Sequence, residues 1–356
     1  MGAAGELQHA QSTAAARGRH WSALLLVVAV VAGLALLPSA SAATTLPEKF
    51  TEDTTLTVAG NPYSGTSTVE SGVTLTVDPG VELTDTRITV NGTIIADGTE
   101  EAPITFTEGP NRRTLGFEPG SGESVLDHVL IDDGGGEWCC GNSEPAITIR
   151  QASPTITNST ISDSHYHAIA VSEGGAPEIG DNEILDANGQ SITYSAGAEE
   201  SGEINIYDNL IEGGSSGITI TALESGVNGK SLGGNTIVGA TGSGLSFSGP
   251  DIPADITTNT LSENGTNLID VAGTVTQSAT WTTGNKIEPN EVTIANGATV
   301  TVKPGVQFTS ARMVVNGTII ADGTEEAPIT FTEGPNRRTL GFEPGSGESV
   351  LDHVLI

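Results

Sequence analysis

Positive charge is what this sequence has least of: Lys and Arg number 13 against 44 Asp and Glu, for a formal net charge of −31. Nucleic acid and anionic membranes both demand positive patches, so neither is an expected partner. A tight grip on polyanionic sugars would need Ca²⁺ as a bridge. The acidity suits a surface kept soluble in salt, or one that collects divalent cations. Cysteine is almost absent too. The two residues, Cys139 and Cys140, are adjacent, so they close only a strained vicinal ring, stay free or cross-link to other chains. With no nearby His they fall short of the four ligands of a structural zinc. Aromatics are scarce, at 4 %, while glycine reaches 46 of 356 residues. No helical apolar period runs through the repeats described below.

Long apolar runs are missing with one exception. Ala23 to Leu37 follows Arg17 and Arg19, stops at Pro38 and precedes Ala40-Ser41-Ala42. It is shorter than the ~20 residues of a membrane span. Residues 1–42 read as a secretory signal peptide cut after Ala42, or else as an uncleaved N-terminal anchor. The remainder is expected outside the cytoplasm, secreted or at the cell surface, without membrane insertion.

What is present is one phrase written five times between residues 154 and 273. An aliphatic residue is followed five residues on by another, then by a strand of the form apolar-x-apolar. The pairs are Ile156/Ile161, Ile179/Ile184, Ile206/Ile211, Leu232/Ile237 and Ile256/Leu261. Repeats of about 25 residues mark a solenoid, and short period-2 strands make it a parallel β-helix. Three residues after each first aliphatic come Ser159, Asn182, Asn209, Asn235 and Asn259. Asn suits a sharp turn, and amides stacked about 4.8 Å apart hydrogen-bond into a ladder.

The phrases PTITNSTISDS, PEIGDNEILDANG and GGNTIVGATGSGLSFSG resemble the right-handed parallel β-helix repeats of the pectate-lyase-like superfamily. The resemblance covers most of residues 70–275 and resumes near 292. It implies an all-β, right-handed parallel β-helix in tandem modules. It implies little about activity, since lyases, hydrolases, epimerases, adhesins and spacers share that fold.

Residues 43–98 are expected as an entry segment, with N-terminal cap and first coil, and 99–275 as the regular coils. Residues 276–291 read as a linker, and 292–356 as the start of a second, truncated module. The last assignment rests on a duplication: residues 315–356 repeat 90–131 letter for letter, an offset of 225 (315 − 90). Further modules of the same chain are therefore expected partners.

Read vertically, two stripes carry carboxylates: Asp163 and Asp186, and Asp181 and Asp208. On adjacent coils such groups sit about 5 Å apart and either bind Ca²⁺ or simply serve their turns. In the superfamily's pectate lyases, carboxylates hold Ca²⁺ and an Arg or Lys across the groove takes the proton. Here Arg150 is a candidate, but it continues into a hydroxyl stripe (Ser172, Ser195, Thr221, Ser248) with no evident carboxylate partner. Lys230 and the pairs Arg112-Arg113 and Arg337-Arg338 are the other cations considered. His165 and His167 fall in the turn after Asp163, near Asp186 in this register, and offer acid–base or metal chemistry. Trp138, in the longest loop, offers either a sugar-stacking platform or a cover for that loop. The polygalacturonase hallmarks and a phosphate loop are missing. The sequence therefore points first to a non-catalytic adhesive, carbohydrate-binding or structural module acting on extracellular polysaccharide, and second to a polysaccharide lyase or glycoside hydrolase.

Overall fold

A computed structural model describes residues 42–107, 114–138, 142–197, 200–222, 227–282, 284–332 and 339–356. Each repeat folds as one coil of a right-handed parallel β-helix. Thr155–Thr157 pairs in register with Glu178–Gly180, which pairs with Asn205–Tyr207. Thr160–Ser162, Glu183–Leu185, Leu210–Glu212, Thr236–Val238 and Thr260–Ser262 form a second ladder. Ile147–Arg150, Ile169–Ser172, Gln190–Ala196, Ser216–Ala222 and Ser243–Gly249 form a third. Alternate residues point inward, so Ile156, Ile179, Ile206 and Leu232 stack in the interior, as do Ile161, Ile184, Ile211 and Ile237. Each is buried to within about 1 %, at roughly 1.5–3 kcal/mol of stabilisation apiece.

The turn between the first two ladders carries the buried amides. Asn182 Nδ2 donates to Asn209 Oδ1 at 3.1 Å, Asn209 Nδ2 to Asn235 Oδ1 at 2.9 Å, and Asn235 Nδ2 to Asn259 Oδ1 at 2.9 Å. The Ser159 N–H donates to Asn182 Oδ1 at 3.0 Å and ends the chain of amides on that side. Each amide also holds backbone: the Asn182 N–H donates to Asn209 Oδ1 and Asn209 Nδ2 to the Ile179 carbonyl. The turn would otherwise leave these groups buried without partners.

Two segments differ from the sequence reading. Residues 43–98, expected to hold a cap and one coil, supply strands to three successive coils: Thr54–Leu56, Thr74–Val77 and Thr93–Asp97 pair in sequence. Residues 276–291, expected as a linker, are built into the stack. Ala279–Trp281 pairs with Thr299–Val302, while Thr266–Val275 pairs with Ser243–Gly249 on one side and Lys286–Ile294 on the other. The physical reason is that a strand edge left open costs its hydrogen bonds and invites foreign pairing, and the next module supplies the partner. The first ladder is interrupted there by the 3₁₀ turn Ile256–Thr258, and among the described residues the second ends at Thr260–Ser262, which pairs only with Thr236–Val238; the long strand Thr266–Val275 carries the stack across.

The duplication is also structural. Thr54–Leu56 and Ala279–Trp281, Thr74–Val77 and Thr299–Val302, and Thr93–Asp97 and Thr318–Asp322 are each offset by 225. At the boundary Trp281 is fully buried, its ring centroid 5.9 Å from Phe308, which stacks on Phe331 at 4.7 Å.

Candidate functional site

Each coil must leave one ladder and enter the next through a residue with left-handed backbone. After the second ladder that residue is Asp163, Asp186, Gly213, Gly239 or Glu263, with φ between 50° and 75°. Before the second ladder it is Asn158, Asp181, Asp208 or Gly234, with φ from 48° to 70°. Left-handed backbone favours Gly, Asn and Asp, so both carboxylate stripes have a turn-forming origin. Asp163 and Asp186 do share one open concavity of about 370 Å³ with Asn188, Ser215 and Thr241. The Asp186 carboxylate, however, leans over Gly213, where an added Cβ would lie 2.6 Å from its Oδ1. Asp208 leans over Gly234 in the same way. Among the described residues no group of three or more His, Cys, Asp or Glu is placed to hold a metal ion, so the structure lends Ca²⁺ no support. We expect Asp186→Gly to keep the stability of the parent and Asp186→Ala to cost about 1 kcal/mol, because alanine keeps the Cβ but loses the short polar side chain that offsets its cost in left-handed backbone. Urea unfolding checks both, and a Ca²⁺-dependent rise in the parent's midpoint that both variants lose would reinstate a metal.

The two histidines diverge. His165 Nε2 pairs with Asp133 Oδ1 at 2.7 Å, one coil back. His167 is half-buried, and its Nδ1 accepts the Gln190 N–H at 2.9 Å; burial lowers its pKa below the ordinary histidine value. Neither lines the concavity of Asp163 and Asp186. Arg150 does lead a stripe through Ser172, Ser195, Thr221 and Ser248, but it has the carboxylate partner that the sequence reading missed: its Nη1 donates to Glu118 Oε1 at 2.9 Å. Lys230 pairs with Glu203 at 3.2 Å. Trp138 closes the short antiparallel pair Gly136–Trp138 and Asn142–Glu144, but its side chain, Cys139, Cys140, Arg112, Arg113, Arg337 and Arg338 lie outside the described residues.

The face with most polar side chains on offer is the third ladder. Its outward positions run Thr148, Ala170, Thr193, Thr219, Ser246, with Asp270 beyond. Gln190 Nε2 donates to Thr219 Oγ1 at 3.0 Å, and Asn290 Nδ2 to Asp270 Oδ1 at 2.8 Å. The hairpin from the long loop closes one end of this face, because Arg87 grips Glu144 with both terminal nitrogens, at 2.9 and 3.1 Å. Partners 57 residues apart across an irregular loop leave no periodic signal in the sequence.

Residues 94–300, more than half of the chain, match the family model described as periplasmic copper-binding protein (NosD). The chain belongs to the NosD family. The matched NosD span crosses the boundary between the two modules, as the pairing of Thr266–Val275 with Lys286–Ile294 does. No curated protein and no solved structure matches the chain. The family description places NosD proteins in the periplasm, and no helix among the described residues is long and apolar enough to cross a membrane. The described residues do not fit a copper ion. Copper takes imidazole and soft sulfur, yet no three His, Cys, Asp or Glu among the described residues are grouped to hold a metal, and Met313 is buried in the core.

Proposed function

We propose that this NosD-family chain works outside the cytoplasm as a non-catalytic, saccharide-binding scaffold. One observation carries the reading: the third ladder aligns Thr148, Thr193, Thr219 and Ser246 along one face, flanked by Ser172, Ser195, Thr221 and Ser248. Hydroxyls in register both donate and accept hydrogen bonds, as a polyhydroxylated chain lying along the face requires. The charged candidates serve other ends. Asp163 and Asp186 form turns, His165 pairs with Asp133, and Arg150 pairs with Glu118. The net charge of −31 disfavours polyanionic chains at low salt.

Affinity electrophoresis through gels containing soluble polysaccharides tests this, combined with assays for new reducing ends and for unsaturated sugar ends. The expected outcome is retardation without either product. New reducing ends would establish a hydrolase and unsaturated ends a lyase. Unretarded migration through every polysaccharide would remove the reading altogether.

A further inference from the structure

The third ladder carries a concavity that recurs at the same place in both modules. The first, of about 270 Å³, is floored by Thr89, Gly116 and Thr148 and walled by two ion pairs, Arg87–Glu144 and Arg150–Glu118. The second, also about 270 Å³, is lined by Arg312, Val314 and Gly341 together with Glu291. Arg312, Val314 and Gly341 are the 225-residue counterparts of Arg87, Thr89 and Gly116. Upstream of residue 315 the copies have diverged, RIT against RMV, yet the arginine stands in both.

The carboxylates that pair with it come from different places. Glu144 belongs to the hairpin, whereas Glu291 lies on the neighbouring coil, its Oε1 2.6 Å from Arg312 Nη1. The position that Glu291 takes is Thr66 in the first module. An Arg–carboxylate wall is thus built twice from unlike parts. A Cβ on Gly116, between the strands of Thr89 and Thr148, would meet nothing within 4 Å; one on Gly341, in the last coil of the sequence, would meet only the Met313 carbonyl, at 3.9 Å.

Resting on the saccharide-binding reading above, we infer that each module holds one sugar-binding position, over Gly116 and over Gly341, and that its ligand is a neutral polysaccharide. The volume lies just under the ~300 Å³ at which pockets for drug-sized ligands begin, which suits a single ring of a chain. Each wall presents donors and acceptors together. Arg150 gives one N–H to Glu118 out of five, and a carboxylate has about four lone-pair sites. Adjacent sugar hydroxyls, each donor and acceptor, complete such a pair. A uronate carboxylate would add a negative charge beside Glu118 and Glu144, against the net charge of the chain. In the second position Val314 stands in for Thr89 and is 41 % exposed, an apolar contact for the C–H face of a ring.

The test is affinity electrophoresis of the whole chain in a neutral glucan, a neutral mannan and polygalacturonate, with Gly116→Leu, Gly341→Leu, the double variant and Gly116→Ala. A Cβ at either glycine would meet no atom closer than 3.9 Å, and unchanged melting curves verify that the leucine variants keep the fold. The neutral polysaccharides should retard the parent and Gly116→Ala independently of salt. Each single leucine variant should weaken retention about tenfold or more, since two linked sites reinforce each other, and the double variant should run free. Retention in a neutral polysaccharide that survives in the double variant overturns the inference and leaves the scaffold reading standing. Retention by polygalacturonate alone overturns the neutral specificity. No retention of the parent in any gel removes both.

Discussion

Asn209→Ala should destabilise the solenoid by about 3 kcal/mol or more, with Asn209→Ser recovering part of the loss. The amide holds five bonds. Its Nδ2 serves the Ile179 and Tyr207 carbonyls and Asn235, while its Oδ1 takes the Asn182 N–H and side-chain amide. Alanine strands the buried Asn182 N–H and the Ile179 carbonyl, at about 1–3 kcal/mol per orphaned group, and adds a small cavity. Serine is the better substitute because Ser159 occupies the equivalent place one coil from Asn182. Urea unfolding followed by hydrogen exchange checks this: protection should fall first at residues 179–184 and 206–211. An equal effect of alanine and serine would show that space, not the hydrogen bonds, sets the cost.

The second large effect is expected at the module boundary. Trp281 is fully buried against Phe308, and its indole nitrogen has no hydrogen-bond partner among the described residues. Trp281→Ala should cost about 3–5 kcal/mol, as large-to-small changes in cores do, and should loosen residues 279–331 while leaving 147–220 protected. Trp281→Leu should be close to neutral. Leu56, the residue 225 positions earlier, fills the same place in the first module, and leucine removes a buried N–H that lacks a partner. Hydrogen exchange resolved along the chain reads both outcomes. Loss of protection spread evenly over all coils would mean that the two modules unfold as one unit.

The coil repeat was legible because each inward aliphatic recurs at the same offset from a turn residue. The offset of three residues that placed Asn182, Asn209, Asn235 and Asn259 is the register in which their side chains bond. The turn stripes were legible as positions, but sequence alone left their purpose open between metal and backbone; φ values near 50° for Asp163, Asp186 and Asp208 give the backbone reason. The segment 276–291 misled because its strand breaks strict alternation. Ile287, Pro289, Val292 and Ile294 face inward, but Asn290 and the left-handed Glu291 lie between them. The Glu118–Arg150 pair was hidden by the loop after Ile131, which lengthens that coil and separates the partners by 32 residues. No family of local patterns reports a contact across an insertion of that kind.

The paired strand that passes from one module to the next also fixes a length. The first ladder takes nine coils to travel from Thr54–Leu56 to Ala279–Trp281, counting the 3₁₀ turn Ile256–Thr258 as one. At about 4.8 Å of rise per coil, that is roughly 43 Å per module. Because Thr266–Val275 is hydrogen-bonded on both edges, the joint is a paired strand of the stack rather than a free linker. A chain of such modules is a graduated rod, and whatever its face holds is offered to the surroundings at a spacing set by the number of coils rather than by a flexible tether.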